Sequence, residues 1–176
     1  MKEEKELKLI KDPKLSTKIA SYYSQMREVR NRLINIINDL PDFVLDYTPD
    51  EKIVESIGTL LLHIAAVEWS WIFADIDKKN FQFEEWKYAF PLRQDVNLPQ
   101  LKGEKKEFYL NKLEKVRLEV YQRLMDFNDE DLDVIVISEG EKYSIEWILF
   151  HIIEHETMHI GQILLLKRLF KIKNKN

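Results

Sequence analysis

Cysteine is absent from the 176-residue sequence. Its absence excludes disulfide scaffolds, thiol nucleophiles, iron–sulfur clusters and cysteine-ligated zinc. It also fits a reducing compartment, so we expect a cytoplasmic protein. Glycine and proline, with four and five residues, are too scarce for a loop-rich all-β fold. Histidine is equally scarce, with four residues, and the positions of these four therefore carry information.

A strong excess of one charge is also missing. The chain has 27 basic and 31 acidic residues and a net charge of -4, which argues against a nucleic-acid partner. The N-terminus lacks the apolar core of a secretory signal. No apolar run approaches the ~20 residues of a membrane span, since the longest candidate, 160–166, is interrupted by Gly161 and Gln162. We therefore expect no membrane partner.

Length and composition indicate one soluble globular domain over residues 1–176. Within it, residues 1–14 form an N-terminal extension in which Lys and Glu alternate. Residues 171–176 form a basic tail, which we expect to be solvated and to complement the negative end of a helix.

Four long segments carry apolar residues at intervals of three and four, the spacing of amphipathic helices. They predict helices at Leu15–Leu40, Ser56–Ile76, Glu104–Phe127 and Ile145–Phe170. The first has an apolar stripe of Ile19, Tyr22, Met26, Val29, Leu33, Ile36 and Leu40. A β-branched run, 134–137, precedes a glycine turn and predicts a hairpin. The mixed segment 77–103 predicts a short helix and a covering loop. The expected fold is all-α: an antiparallel four-helix bundle with a small hairpin or loop excursion.

Three of the four histidines, His151, His155 and His159, lie within nine residues of the last helix. Residues four apart differ by ~40° around a helix and ~6 Å along it, so an adjacent pair can bind one ion. All three histidines cannot bind the same ion without strain, because His151 and His159 are ~12 Å apart along the helix. A third ligand must therefore come from another segment, and the remaining histidine is His63. Core histidines with separate polar partners are the alternative. Imidazole ligands suit Zn, Ni, Fe or Cu, and we favour Zn or Ni.

The segment His155 to His159 also matches HExxH, the helix of zinc proteases. We reject that class, because the 17 residues after His159 contain no His, Asp or Glu to supply a third ligand. Glu156 follows His155 by ~100° around the helix, so we do not expect it to act as a general base over a metal.

The stretch 151–166, HIIEHETMHIGQILLL, resembles the closing motif of the DinB-like metalloprotein family, and 60–69, LLLHIAAVEW, resembles its second-helix motif. Ile160 departs from the pattern, because many members carry a polar residue there. The resemblance implies an up-down-down-up bundle and a mononuclear metal held by His63, His155 and His159. It places His151 and Gln162 beside the ligands or in the pocket, and it implies a homodimer.

The resemblance also suggests a function, because some relatives are transferases or isomerases that use low-molecular-weight thiols such as bacillithiol. Three neutral histidines do not offset the +2 charge of a divalent ion, and they leave one coordination position open. A thiol bound at that position loses its proton. Our leading hypothesis is transfer of such a thiol to a small electrophile. A metal-dependent hydrolase of a small molecule and a non-catalytic, metal-binding stress-response protein are the alternatives. No catalytic residue is assigned.

Overall fold

The computed structural model describes residues 7–91 and 100–174, and these are mostly helical with one small sheet. The all-α class is thereby confirmed in its broad form. The helices are α1 (Thr17–Asn38), α2 (Ile57–Trp69), α3 (Phe83–Trp86), α4 (Lys106–Leu124) and α5 (Ile145–Lys173). The strands are β1 (Ile135–Ser138) and β2 (Glu141–Ser144).

The four long helices pack around a common core in a closed order. α2 packs against α4 and α5, and α1 packs against the same two helices. Nearly every residue of α2 is buried, so this helix lies deepest in the protein. The packing of α2 against α5 matters most for function, because together they carry all four histidines.

Serine caps begin both histidine-bearing helices. The hydroxyl of Ser56 accepts a hydrogen bond from the backbone N–H of Thr59, and that of Ser144 accepts one from Trp147. These bonds satisfy N–H groups that lack a partner within the first turn. Both starts agree with the sequence prediction to within one residue. The helical segment that begins with α2 also ends at the predicted Ile76, but its last part, Ser70–Ile76, is π-helical, which the apolar spacing did not indicate. α5 extends three residues beyond the predicted end at Phe170.

The predicted stripe of α1 is only partly correct. Tyr22, Val29 and Ile36 are half-buried, whereas Arg30 and Ile37 are fully buried. The helix is therefore rotated by part of a turn from the predicted orientation, and this rotation brings an arginine into the core.

The hairpin is present and lies one residue later than predicted. β1 and β2 pair antiparallel with Ser138 opposite Glu141, so only Glu139 and Gly140 form the turn. Their φ angles are +49° and +86°, and positive values at both central residues define the tight type I′ turn. The hairpin packs against the π-helical segment at the end of α2.

The mixed segment contains α3 and a following 3₁₀ turn, Lys87–Ala89. This agrees with the expected short helix. The expected covering loop falls in part on residues 92–99, which lie outside the described residues. Trp86 and Ala89 are buried, so the described part of this segment is anchored to the core.

The expectation that no apolar run approaches the length of a membrane span was wrong for one described segment. Ile57–Ile76 has a mean hydropathy of 1.5 and the length to cross a membrane, but 72% of that window is buried inside the protein. A buried core helix meets the same criteria of length and composition, and α2 occupies the core here.

Candidate metal centre

Three histidine rings converge where α2 packs against α5. The Nε2 atom of His155 lies 3.2 Å from Nε2 of His63 and 3.0 Å from Nε2 of His159. One nitrogen from each of the three rings lies within 4.8 Å of the others. The spacing on α5 explains the pairing of His155 with His159, and the packing of the helices adds His63.

These distances suit a single ion. Two nitrogens that each lie ~2.05 Å from a tetrahedral ion are about 3.3 Å apart, close to the separations of His155 from His63 and from His159. The outer nitrogens are oriented as well: Nδ1 of His63 lies 3.0 Å from the carbonyl oxygen of Ala89, and Nδ1 of His159 lies 2.6 Å from Oε1 of Gln162. Because both oxygens accept, each Nδ1 donates, and Nε2 keeps its lone pair for a metal.

The cluster also favours neutral rings. Burial, with a smaller effect of His159, lowers the pKa of His63 to about 4. Burial, with smaller effects of the neighbouring histidines, lowers the pKa of His155 to about 3. Burial likewise lowers the pKa of His159. Metal ligation requires neutral imidazole, so the protein supplies the protonation state that a divalent ion needs.

His151 lies outside the cluster of three histidines, next to the ring of His155. Its ring stacks on Trp147 at 4.8 Å between centroids and lies 5.7 Å from the ring of His155. Gln162 is exposed, and its Oε1 atom contacts Nδ1 of His159.

A second constellation, which the sequence analysis missed, lies in the core. Arg30, Glu68, Arg117 and Glu156 come one from each long helix and are between 1% and 7% exposed. Arg30 bonds to Glu156 at 2.6 Å and to Glu68 at 2.7 Å. Arg117 bonds to Glu68 at 2.5 Å and to Glu156 at 3.0 Å. We call these four residues the buried charge network.

The network explains the glutamate of the HExxH-like segment. Glu156 points away from the imidazoles and is held by both arginines, so it does not face the histidine cluster. Burial would raise the pKa of Glu68, but the charges of Arg117 and Arg30 outweigh it and lower that pKa. Both carboxylates are thus occupied in ion pairs.

A signal for the network existed in the sequence. Arg30 lies four residues after Met26 and three before Leu33, both stripe residues, so its position was compatible with burial. Glu68 is the acid that follows His63 by five residues in the second-helix motif. The contact of His63 with the carbonyl of Ala89 could not be predicted in this way, because every residue has a backbone carbonyl whatever its side chain.

Comparison with known proteins identifies the family. A family model described as the DinB superfamily matches residues 25–163. The chain belongs to the DinB superfamily. The matched DinB range contains the three clustered histidines and all of the buried charge network. The family is metal-binding, and a three-histidine cluster could hold a divalent ion.

A solved structure agrees with the DinB fold. It is described as the conserved protein of locus from Enterococcus faecalis, and it superimposes with a TM-score of 0.64 at 14% identity. The match covers 85% of this chain and 94% of that chain. At this identity the likeness concerns the fold alone. A search of the curated proteins finds no match.

Proposed function

We propose that this DinB-superfamily protein is a metal-dependent enzyme that transfers a low-molecular-weight thiol, of the bacillithiol type, to a small electrophile. In this proposal His63, His155 and His159 hold one divalent ion, Zn or Ni, on an antiparallel four-helix bundle. The observation that carries it is the convergence of three Nε2 atoms. Contacts with Ala89 and Gln162 favour the tautomers of His63 and His159 that leave Nε2 free for a metal.

The choice of a thiol rests on the donor set and on composition. Three neutral imidazoles leave the full charge of a divalent ion available, and an ion so bound lowers the pKa of a coordinated thiol. The chain has no cysteine, so the sulfur has to arrive with the substrate. With a chlorinated aromatic as electrophile, a carbon–sulfur bond forms, the carbon–chlorine bond breaks, chloride leaves, and the thiol proton passes to solvent.

The test has two stages. Metal content and affinity are first measured by elemental analysis and calorimetry with Zn²⁺ and Ni²⁺, for the wild type and for His155→Ala. His151→Ala is the matched control, because it removes an imidazole of the same helix that lies outside the cluster. We expect stoichiometric metal in the wild type and the control, and loss of tight binding in His155→Ala.

Turnover is then measured with bacillithiol and 1-chloro-2,4-dinitrobenzene, and in parallel with ester and amide substrates. Metal-dependent conjugate formation supports the proposal. Hydrolysis without conjugation would replace it with the hydrolase alternative, and stoichiometric metal without either reaction would favour the non-catalytic alternative.

We also propose that the protein is a cytoplasmic homodimer. Met158, Leu165 and Ile172 follow one another at intervals of seven on α5 and are 52–56% exposed, which forms an apolar stripe suited to a partner helix. Sedimentation analysis of Leu165→Glu tests the interface, and Leu118→Glu on α4, which is equally exposed, is the control. A monomeric wild type, or a dimer that only the control disrupts, would contradict this interface.

A further inference from the structure

A cavity of about 440 Å³ lies between the end of α2 and the hairpin. Two pairs of aromatic side chains line it. Trp71 and Tyr143 pack edge to face with centroids 5.2 Å apart, and Phe81 and Phe90 lie 6.1 Å apart. Ring faces carry partial negative charge, so aromatic walls attract cations as well as apolar groups.

The charged groups of the cavity have one sign. Asp75 and Glu139 line it, and none of the lining residues that the structure describes is basic. Lys78 is not among the lining residues; its Nζ donates to the carbonyl of Ile137 on the hairpin at 2.9 Å and keeps its positive charge there. Ser138 donates to Oδ1 of Asp75 at 2.5 Å, so this carboxylate is fixed in position between the π-helical segment and the hairpin.

The cavity adjoins the histidine cluster. The ring of Phe90 lines the cavity and also lies edge-on to His63, with centroids 5.0 Å apart. On the other wall, the ring of Trp71 lies edge-on to that of His151, with centroids 5.5 Å apart. Val67, one helical turn after His63 on α2, lines the cavity too. A molecule in the cavity would therefore lie next to the three-histidine site.

We propose that this cavity binds an organic cation, namely a protonated amine or quaternary ammonium group on an apolar body. The carboxylates of Asp75 and Glu139 supply the opposite charge, and the aromatic walls accept both the cation and the apolar body. Anions are disfavoured by the same carboxylates. That the bound cation is also a substrate of the metal site is an inference that rests on the proposed function. The binding of the cation in this cavity does not depend on that function.

Three probes of similar size test the inference: phenethylamine, phenethyl alcohol and 3-phenylpropionate, which are cationic, neutral and anionic at neutral pH. Binding to the full chain is measured by calorimetry at low salt, without and with Zn²⁺. The variant Asp75→Asn/Glu139→Gln removes both charges, and its amide at 75 keeps an acceptor for Ser138. Glu141→Gln is the matched control, since it lies on the same hairpin outside the lining residues.

We expect phenethylamine to bind most tightly and 3-phenylpropionate least tightly. We expect the double variant to bind phenethylamine on the order of fivefold more weakly, because partly exposed ion pairs have modest energies. The control should bind as the wild type does. Equal binding of the three probes, preference for the anion, or an unchanged double variant would overturn the inference.

The outcome is separable from that of the proposed function. Cation binding without metal affinity would retain the cavity assignment and remove the metal-dependent enzyme. Metal binding and turnover without cation preference would retain the metal-dependent enzyme and remove the cavity assignment.

Discussion

Gly58 on α2 faces the ring of Tyr109 on α4 so closely that a Cβ atom at position 58 would lie 2.6 Å from Cζ and from Oη of the tyrosine. Real Cβ atoms essentially never approach other atoms this closely. Tyr109 is fully buried, and in a close-packed core a displaced ring would disturb its neighbours. The contact between α2 and α4 therefore requires glycine at this position.

We expect Gly58→Ala to destabilise the protein by about 1–3 kcal/mol, the usual cost of overpacking a core. Urea unfolding followed by circular dichroism measures the change. The comparison variant is Gly161→Ala, where an added Cβ meets no atom within 4 Å. Gly161 lies inside α5, so alanine there should stabilise by roughly 0.5–1 kcal/mol. Equal effects of the two substitutions would contradict the steric explanation.

The buried charge network should be far more sensitive to substitution than a surface ion pair. Glu156→Gln leaves two arginines with one buried counter-charge, and breaking such a pair typically costs about 3–5 kcal/mol. Glu28→Gln is the control, because it breaks an exposed pair with Arg32 that is worth only about 0.3–0.5 kcal/mol. Both are measured by urea unfolding.

Coupling within the network is testable by a double-mutant cycle. Arg30→Met with Glu156→Gln removes both partners of the 2.6 Å contact. The double variant should lose less stability than the sum of the single variants, because neither partner is left unpaired. Strict additivity would show that the two residues act independently.

The metal should be dispensable for folding. The core of apolar side chains extends over all four long helices, so the protein should remain helical without an ion, unlike a zinc finger. We expect His155→Ala to lose tight metal binding while keeping its far-UV circular dichroism. Both are measured on the same sample. Simultaneous loss of helix and metal would instead show that the ion is a structural element, in favour of the non-catalytic alternative.

The stability of the metal-free protein should fall as pH falls below ~6.5. In the folded state His63 and His155 titrate at about 4 and about 3, whereas an unfolded histidine titrates near 6.5. The unfolded state therefore binds more protons between these values. The loss is at most about 1.4 kcal/mol per pH unit for each histidine.

Urea unfolding at pH 7.5 and 5.5 in the presence of a chelator measures this slope. His155→Leu should reduce it, because one of the three histidines whose pKa is lowered in the folded state is gone. A slope that is unchanged in this variant, or a wild-type protein equally stable at both values, would contradict the expected titration.

Local features of the protein could be predicted from the sequence. The starts of α2 and α5 follow from Ser56 and Ser144, and the hairpin follows from a β-branched run before Gly140. Each depends on residues that are neighbours along the chain. The π-helical segment could not be predicted, because it occurs within an apolar run whose periodicity is equally compatible with an ordinary α-helix.

The spacing of apolar residues was enough to predict the four long helices. It also showed that two adjacent histidines on α5 could share an ion, since spacing along a helix defines their separation. Spacing did not decide which pair, and the family resemblance chose His155 and His159. The packing of α2 against α5 brings Nε2 of His63, 92 residues before His155, to 3.2 Å from Nε2 of His155. The tertiary structure also places Arg30 inside the core. Both outcomes depend on the rotation of one helix relative to another, which the pattern of a single helix does not contain.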